Sequence, residues 1–176
     1  LLAVASGSRA ESLYVSSWKD NKIVRFDMDG NWVQFSSPLL NGPTGLTFDT
    51  EGNLYVANQK GNTIVKIDPY WQASVYASGG LDQPMGVAFD SSGALYVANA
   101  GSDQITKHLP NTPGTVFATT GLDNPVGLAF DSAENIYVAN QWIGTVSRID
   151  PSGQVSVFAT GLNQPYGVAY DIPNNK

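Results

Sequence analysis

Apolar residues along the chain fall into short runs that clusters of Gly, Pro, Asp and Asn separate. Within one stretch of the sequence such runs lie at roughly 45–49, 53–58, 62–68 and 72–78. Runs of this length, bounded by turn-forming residues, are typical of β-strands joined by tight turns. The runs 54–57 and 64–67 are almost continuously apolar, as expected for strands with both faces buried. The pattern therefore predicts a sheet of short antiparallel strands that is covered on both faces.

The same pattern returns with a period of 41 residues. Leu-Tyr-Val or Ile-Tyr-Val begins at residues 13, 54, 95 and 136, and a motif that ends in Arg or Lys begins at residues 23, 64, 105 and 146. A third motif, Pro-x-Gly-x-x-aromatic-Asp, begins at residues 43, 84, 125 and 165, with steps of 41, 41 and 40 residues. Motifs that stay in phase establish an internal repeat, and about 40 residues with four strands is the size of one propeller blade.

We therefore predict an all-β protein, a β-propeller of four-stranded antiparallel blades, with repeats at about 12–52, 53–93, 94–134 and 135–171. The strand after each proline carries Gly and then Ala or Thr on one face. Glycine in a strand often marks the close approach of another backbone. We expect this strand to be the innermost one, where the wedge-shaped blades converge.

The phase of the repeat leaves the first and last units incomplete. The first unit supplies strands at about 12–17, 21–27 and 31–36, whereas 166–171 is an inner strand that no second strand follows. If both ends shared one blade, the ring would have four blades. A six-bladed ring of such repeats needs roughly 250 residues, and we expect the chain to be part of that larger ring. As an open arc it would expose an apolar blade face at each end and should self-associate.

The repeat resembles that of the NHL-repeat β-propellers. That repeat reads approximately Pro-x-Gly-Val-Ala-x-Asp, a Gly-Asn turn, a Tyr-Val-Ala-Asp-like strand, an Ile-x-Arg/Lys-like strand and an Asp-x-x-Gly turn, and the likeness covers residues 12–171. Asn58, Asn99 and Asn140 stand where the family often has Asp. The resemblance implies the fold. It leaves function open, because the family and its distant relatives include protein-binding scaffolds, RNA binders, streptogramin-lyase-like enzymes and gluconolactonase-like lactonases.

Charge and composition narrow the possible partners. Nine Lys and Arg residues stand against 15 Asp and Glu residues, so the formal net charge is −6. Affinity for nucleic acid rises with the number of cations brought to the phosphates, and we expect no nucleic-acid partner. A chain without cysteine has no disulfides and no thiolate metal site. No stretch reaches the roughly 20 apolar residues of a membrane span.

Residues 1–10 resemble the end of a secretory signal peptide. The run 1–5 is apolar, and Ser8 and Ala10 would be the small residues before the cleavage site. We expect a mature start at Glu11 and export to the periplasm or the extracellular space. The alternative is that residues 1–10 form a degenerate first strand of the repeat.

The resemblance also frames the candidate chemistry. In the gluconolactonase-like relatives, carboxylate and amide side chains between the proline and glycine of inner strands hold a divalent metal. Here those positions hold Thr44, Met85, Val126 and Tyr166, none of which is a plausible ligand for such an ion. Related lyases use two or more histidines, whereas this chain offers His108, at a packing position of the third strand. We therefore expect a structural His108, with no metal, no cofactor and no catalytic residue.

One basic residue recurs in each unit on the third strand. These residues are Arg25, Lys66, Lys107 and Arg148. They could form a basic ring for an anionic ligand, but we favour one ion pair or hydrogen bond between blades per unit. The expected partners are the aspartates that close the inner strands: Asp49, Asp90, Asp131 and Asp171. We interpret the segment 27–30, Asp-Met-Asp-Gly, as a tight turn and not as a calcium loop, because its counterparts lack the second carboxylate.

The loops after the second strands are where the repeats differ most, and loops on a rigid scaffold commonly carry recognition. We predict binding residues in these loops and at the start of the last inner strand: Trp18, Asn58, Gln59, Asn99, Asn140, Gln141, Trp142 and Tyr166. Aromatic faces and amides suit a neutral protein or glycan ligand. The alternative is that the asparagines cap the turns and the tryptophans pack on their own blades.

Two functions are compatible with these patterns. The first is a secreted, non-enzymatic propeller scaffold that binds a protein or carbohydrate ligand through loops on one rim. The alternative is a gluconolactonase-like hydrolase or a lyase whose catalytic metal site lies outside this part of the chain. The residue between each Pro and Gly distinguishes them, because it is apolar or hydroxyl-bearing here and acidic or amide-bearing in the metal enzymes.

Overall fold

The computed structural model of the protein describes residues 11–110 and 112–171, and in these residues it contains strands and no α-helix. The strands are β1 (Ser12–Ser17), β2 (Lys22–Asp27), β3 (Trp32–Ser36), β4 (Pro43–Phe48), β5 (Leu54–Asn58), β6 (Thr63–Ile67), β7 (Ala73–Ala77), β8 (Pro84–Phe89), β9 (Leu95–Asn99), β10 (Gln104–His108), β11 (Thr115–Ala118), β12 (Pro125–Phe130), β13 (Ile136–Asn140), β14 (Thr145–Ile149) and β15 (Val155–Ala159). None of the described segments is a helix long and apolar enough to cross a membrane.

Each repeat forms one antiparallel sheet. Strands β4–β7, β8–β11 and β12–β15 make three four-stranded sheets, and β1–β3 make a three-stranded one. Within each sheet, strands that are consecutive in the chain pair with one another, as hairpin connections require. The predicted all-β architecture of antiparallel blades is therefore confirmed, and the strands of the second blade lie within two residues of the predicted runs.

The innermost strands are those that follow the prolines. Strand β4 lies beside β8, and β8 lies beside β12. A Cβ added at Gly45 would overlap the carbonyl oxygen of Met85, and one added at Gly86 would overlap that of Val126. Glycine is therefore required at these positions because the backbone of the next blade passes directly against its Cα.

Aromatic side chains pack between consecutive blades. Tyr14 meets Phe48 edge to face at a centroid distance of 4.9 Å, and Tyr55 meets Phe89 in the same way at 4.9 Å. The third interface repeats the contact at 5.1 Å, between Tyr96 and Phe130. Edge-to-face pairs contribute beyond the apolar area that they bury. Strands β5 and β9 are buried along their whole length, because a neighbouring blade covers each face.

A hydrogen bond from backbone to side chain links each blade to the next. The amide of Gly42 donates to Oδ1 of Asn21 over 2.7 Å, and that of Gln83 donates to Oδ1 of Asn62 over 2.8 Å. Asn21 and Asn62 have φ angles of 53° and 49°, in the left-handed region that asparagine tolerates. The third link uses Asp103, whose Oδ1 accepts from the amide of Asn124 over 2.6 Å.

The blade turns are closed by aspartates. Oδ1 of Asp27 accepts from the amides of Asp29 and Asn31 at 3.0 and 2.9 Å, and the Asn31 side chain donates to Oδ2. This last hydrogen bond lowers the pKa of the Asp27 carboxyl. The same pair of amide bonds recurs at Asp49, Asp68, Asp90, Asp131 and Asp150. The turn interpretation of segment 27–30 is confirmed.

Two of the basic residues of the third strands make polar contacts inside their own blades. Nζ of Lys107 lies 3.4 Å from Oδ2 of Asp90, and Nη2 of Arg148 donates to Oδ1 of Asn135 over 2.8 Å. Lys107 thus has the expected kind of partner, an aspartate that closes an inner strand, but both contacts lie within one blade, so the expected position between blades is wrong for these two residues. The reason is the register: Lys107 lies opposite Tyr96 of β9, so its side chain reaches across one strand to the end of β8.

The predicted inner strand at 166–171 is not a β-strand in the structure. This segment passes against Gly127 of β12, as an inner strand would, and Tyr170 stacks on Tyr137 at 6.3 Å. In the described part of the chain no second strand lies beside it, so no ladder forms. The alternative of a four-bladed ring would require this segment to pair with β1, and no such pairing is present in residues 11–110 and 112–171. The signal-peptide prediction concerns residues 1–10, which lie outside the described residues.

Apolar side chains are exposed at both ends of the series of blades. Leu13 of β1 is 61% exposed, and Phe158 of β15 is 62% exposed. Leu162 and Tyr170, beyond β15, are exposed as well. The exposure agrees with an open arc, and self-association through these faces stays a prediction.

Replacing Gly86 with Ala tests the close approach of the inner strands. We expect a loss of about 1–3 kcal/mol in the free energy of unfolding, because the new Cβ overlaps the carbonyl oxygen of Val126 and must displace backbone. The measurement is urea denaturation followed by circular dichroism. Gly79→Ala is the control, since nothing lies within 4 Å of the added Cβ there. Equal stability of the two variants would contradict the packing described here.

Candidate ligand-binding groove

A groove of about 730 Å³ lies where the inner strands begin. Its floor comes from the Pro-x-Gly segments of successive blades, and its walls come from the loops that follow the second strands. The lining residues are Ser16, Trp18, Pro43, Thr44, Gly45, Gln59, Gln83, Met85, Gly86, Ala100, Asn124, Val126, Gly127, Gln141, Trp142, Tyr166 and Gly167. None of these residues carries a charge.

The floor is formed by the residues between the prolines and glycines. Met85 and Val126 are nearly buried there, at 8% and 3% exposure, so the floor is mainly apolar. The hydroxyl of Thr44 lies 3.1 Å from the carbonyl oxygens of Pro84 and Met85, to which it can donate. One hydroxyl and one thioether do not match the several oxygen ligands that a hard divalent cation requires. The described residues also contain no group of three or more His, Cys, Asp or Glu that could hold a metal.

Three aromatic side chains line the groove. Trp142 is 72% exposed and Tyr166 is 56% exposed, so both offer ring surface to a ligand. Trp18 is held more firmly: its Nε1 donates to Oε1 of Gln59 over 2.6 Å, and Nζ of Lys60 lies 3.8 Å from its ring centroid. The groove therefore combines a fixed indole with two exposed rings.

Two of the predicted glutamines, Gln59 and Gln141, also line the groove. Gln59 accepts from Trp18, and Oε1 of Gln141 accepts from Nδ2 of Asn124 over 2.7 Å. The structure thus brings together five of the predicted binding residues in one groove: Trp18, Gln59, Gln141, Trp142 and Tyr166. That they bind a ligand stays a prediction.

The three predicted asparagines lie elsewhere. Asn58, Asn99 and Asn140 are fully buried at the ends of their strands and do not line the groove. Each accepts a hydrogen bond at Oδ1 from the chain that leads into the inner strand, from the amides of Asn41, Asp82 and Asp123 respectively. Their Nδ2 groups donate to other groups of the fold, including hydroxyls of the third strand. In this arrangement their side chains hold the loops in place, which is the role that the alternative interpretation gave them.

Gln83 and Asn124 also line the groove, although they are not among the binding residues predicted from the sequence. Both precede the proline of an inner strand, and both have a φ of 48°. This conformation is unfavourable before proline, which disfavours helical backbone in the residue that it follows. The signal was present in the repeat, because a polar residue comes directly before each proline of the later units.

His108 is remote from the groove lining and is 1% exposed. Its Nε2 lies 2.9 Å from Oγ1 of Thr106, which also accepts from Nδ2 of Asn99. A Cβ at Gly114 would overlap the imidazole, so the ring is tightly enclosed. Burial lowers the pKa of His108, since charging the ring there means losing its hydration. These contacts agree with a structural role.

A second cleft, of about 680 Å³, lies between the second and third blades at the far ends of the inner strands. It contains Asp49 and Asp90, but their Oδ1 atoms already accept the amide bonds of the blade turns. Burial and the neighbouring Asp49 raise the pKa of Tyr55 in this cleft. The carboxylates of Asp49 and Asp90 thus close turns, although Glu51 and Lys66 also line this cleft. We place the candidate site at the uncharged groove, where five of the predicted binding residues meet.

Solved structures with the same fold include a virginiamycin B lyase from Staphylococcus aureus, with a TM-score of 0.78, 20% identity and coverage of 91% of this chain and 56% of that one. A chain of a nidogen–laminin complex also gives 0.78, at 20% identity, with 91% and 65% covered. A gluconolactonase from Xanthomonas campestris gives 0.73, at 19% identity, with 86% and 59% covered. No family model and no curated protein sequence matches the chain.

These likenesses show that the chain has the fold of a β-propeller, distantly similar to lyase and gluconolactonase propellers. The chain spans between 56% and 65% of the length of the three structures. At such low identity the comparison establishes the fold, and function has to be argued from the groove.

Replacing His108 with Ile, the residue at the same place in the second and fourth blades, tests the buried imidazole. Because the pKa of His108 is lower in the folded protein than its value of about 6.5 in the unfolded chain, the imidazole of the unfolded chain binds more protons than that of the folded protein when the pH falls below 6.5. Stability of the native protein should therefore be constant above pH 6.5 and fall below it, by up to about 1.4 kcal/mol per pH unit. Urea denaturation between pH 5 and pH 7.5 measures this slope. The slope should vanish in His108→Ile, and a variant that keeps it would disprove the assignment.

Proposed function

We propose that this chain belongs to a secreted, non-enzymatic β-propeller scaffold that binds a neutral protein or carbohydrate ligand in the groove where the inner strands begin. The observation that carries the proposal is the composition of that groove. Exposed aromatic rings, side-chain amides and an apolar floor meet there, and no lining residue is charged. Concave, mostly apolar surfaces with a few polar groups are typical of ligand sites.

The buried side chains of Asn58, Asn99 and Asn140 support a preorganised binding site. They hold the segments that lead into the inner strands, so that the groove walls rest on hydrogen-bonded scaffold. Rigid support of this kind lowers the entropic cost of binding. The likeness to a chain of the nidogen–laminin complex supports a role in protein binding, since that propeller belongs to a protein complex.

A lactonase or lyase is the second candidate, and the similarity to the Staphylococcus aureus lyase and the Xanthomonas campestris gluconolactonase favours it. The groove itself argues for binding over catalysis. It holds no carboxylate and no histidine among the described residues, so it lacks the usual general acids and bases. Under the enzymatic alternative, catalytic groups would have to come from outside those residues.

Substitution of the exposed indole tests the proposal. A panel of uncharged oligosaccharides and capped uncharged peptides is titrated into the protein, with binding followed by calorimetry. We expect Trp142→Ala to weaken the binding of the best probe by about tenfold, because stacking on an exposed ring is lost. Affinity should change little between low and high salt, since the lining has no charges to be screened.

Trp32→Ala is the matched control. Trp32 is 61% exposed on β3 and does not line the groove, so its loss should leave binding unchanged. Equal effects of the two substitutions, or binding that salt abolishes, would disprove this location of the site.

A further inference from the structure

The cleft between the second and third blades has a counterpart, one interface earlier, that the chain itself fills. Trp71 follows β6 and lies between the first and second blades. Its indole stacks on Tyr14 at a centroid distance of 6.1 Å and lies 5.2 Å from the ring of Phe35. A cavity of only about 10 Å³ remains beside the indole. The cleft at the next interface, by contrast, has a volume of about 680 Å³.

The aromatic wall of the first interface recurs in this cleft. Tyr55 and Tyr76 stand 41 positions after Tyr14 and Phe35, and both line the cleft. Their rings meet edge to face at a centroid distance of 4.9 Å. The second interface therefore keeps the two rings that receive an indole in the first.

The indole itself is not repeated. Thr112 stands 41 positions after Trp71, and the amides of both donate to a carbonyl oxygen three residues earlier, so the two turns are equivalent. The segment 109–114 contains no aromatic residue. Trp71 has a φ of 65°, which is unfavourable for a bulky residue, so the packing of its indole offsets a backbone cost. The second interface lacks this packing.

Charged groups at the cleft favour one sign of ligand. Its lining carries the carboxylates of Asp49, Glu51 and Asp90 and the ammonium group of Lys66. Asp90 is paired with Lys107, whose Nζ lies 3.4 Å from Oδ2. Two carboxylates then remain against one ammonium group, so a cation is attracted more than an anion.

We propose that the cleft between the second and third blades binds a small cationic aromatic amine, whose ring takes the place that the Trp71 indole has one interface earlier. The ring packs on Tyr55 and Tyr76, where aromatic contacts contribute beyond the area that they bury. The ammonium group of the ligand lies toward the exposed carboxylate of Glu51. The site is at the far ends of the inner strands from the groove, so it is independent of the proposed function.

A blocked cleft tests the location. Binding of tryptamine to the full chain is measured by calorimetry, and we expect one saturable site with a Kd of about 1 mM or lower. Ser74→Trp should weaken this binding by at least about tenfold, because Ser74 is exposed on β7 and lines the cleft, so that a large side chain occupies the space. Ser156→Trp is the matched control, since Ser156 is exposed at the same place in the fourth blade and does not line the cleft.

A second pair of variants tests the charge. Glu51→Gln should weaken tryptamine binding by about threefold at low salt and less at high salt, because the carboxylate is exposed and its field is screened. Asp29→Asn removes an exposed carboxylate that does not line the cleft, and it should change binding little. Trp142→Ala alters the groove and should leave tryptamine binding unchanged. Urea denaturation of each variant verifies that it folds.

Two comparison probes complete the test. Indole-3-acetate reverses the charge of the ligand, and 2-cyclohexylethylamine removes its aromatic ring. Tryptamine binding that exceeds that of both probes and is lost in Ser74→Trp alone of the two tryptophan variants supports the inference. Equal binding of either probe overturns it, as does tryptamine binding that Ser74→Trp leaves intact or that Trp142→Ala abolishes. Absence of saturable tryptamine binding to the unaltered chain also overturns it.

Discussion

The structure depends on the absence of a side chain at one position of each inner strand. Gly45, Gly86 and Gly127 lie so close to a carbonyl oxygen of the next unit that even a methyl group would not fit. This approach sets how tightly consecutive blades converge, and the aromatic pairs and the buried apolar strands of the interfaces follow from it. A Gly in mid-strand weakens a sheet taken alone, so its cost is offset by packing between sheets.

The same convergence determines what the groove can contain. Because each glycine follows the variable residue of a Pro-x-Gly segment, that residue lies on the floor where successive blades meet. Thr44, Met85 and Val126 make this floor largely apolar. The walls come from loops that differ between units, so one repeated scaffold produces a groove that is not symmetric. In each repeat, the strands therefore form the common scaffold, whereas the loops provide the walls of the groove.

Most of the fold could be predicted from the sequence because the same strand and turn motifs recur in every repeat. The residues that line the groove were harder to predict. Asn58, Asn99 and Asn140 occupy the same strand end in their units and serve the scaffold. Trp18 and Trp142 differ from their counterparts in the other units and line the groove. Contacts between strands are set by register, which is why Lys107 pairs within its blade. The strand predicted at 166–171 does not form in the structure, because a β-strand needs a partner strand and the local sequence pattern does not show whether one is present.

The hydrogen bonds between blades all run in the same direction along the chain. In each of the first three blades, a side-chain oxygen accepts from the backbone amide just before the proline of the next blade. The fourth blade has Gly144 at the equivalent position, where the backbone carbonyl accepts from the amide of Leu162 instead. In a quasi-one-dimensional protein, stability is nearly a sum of unit terms and neighbour terms. Because side-chain acceptors at three successive junctions couple each blade to the next, the four described blades should unfold as one cooperative unit.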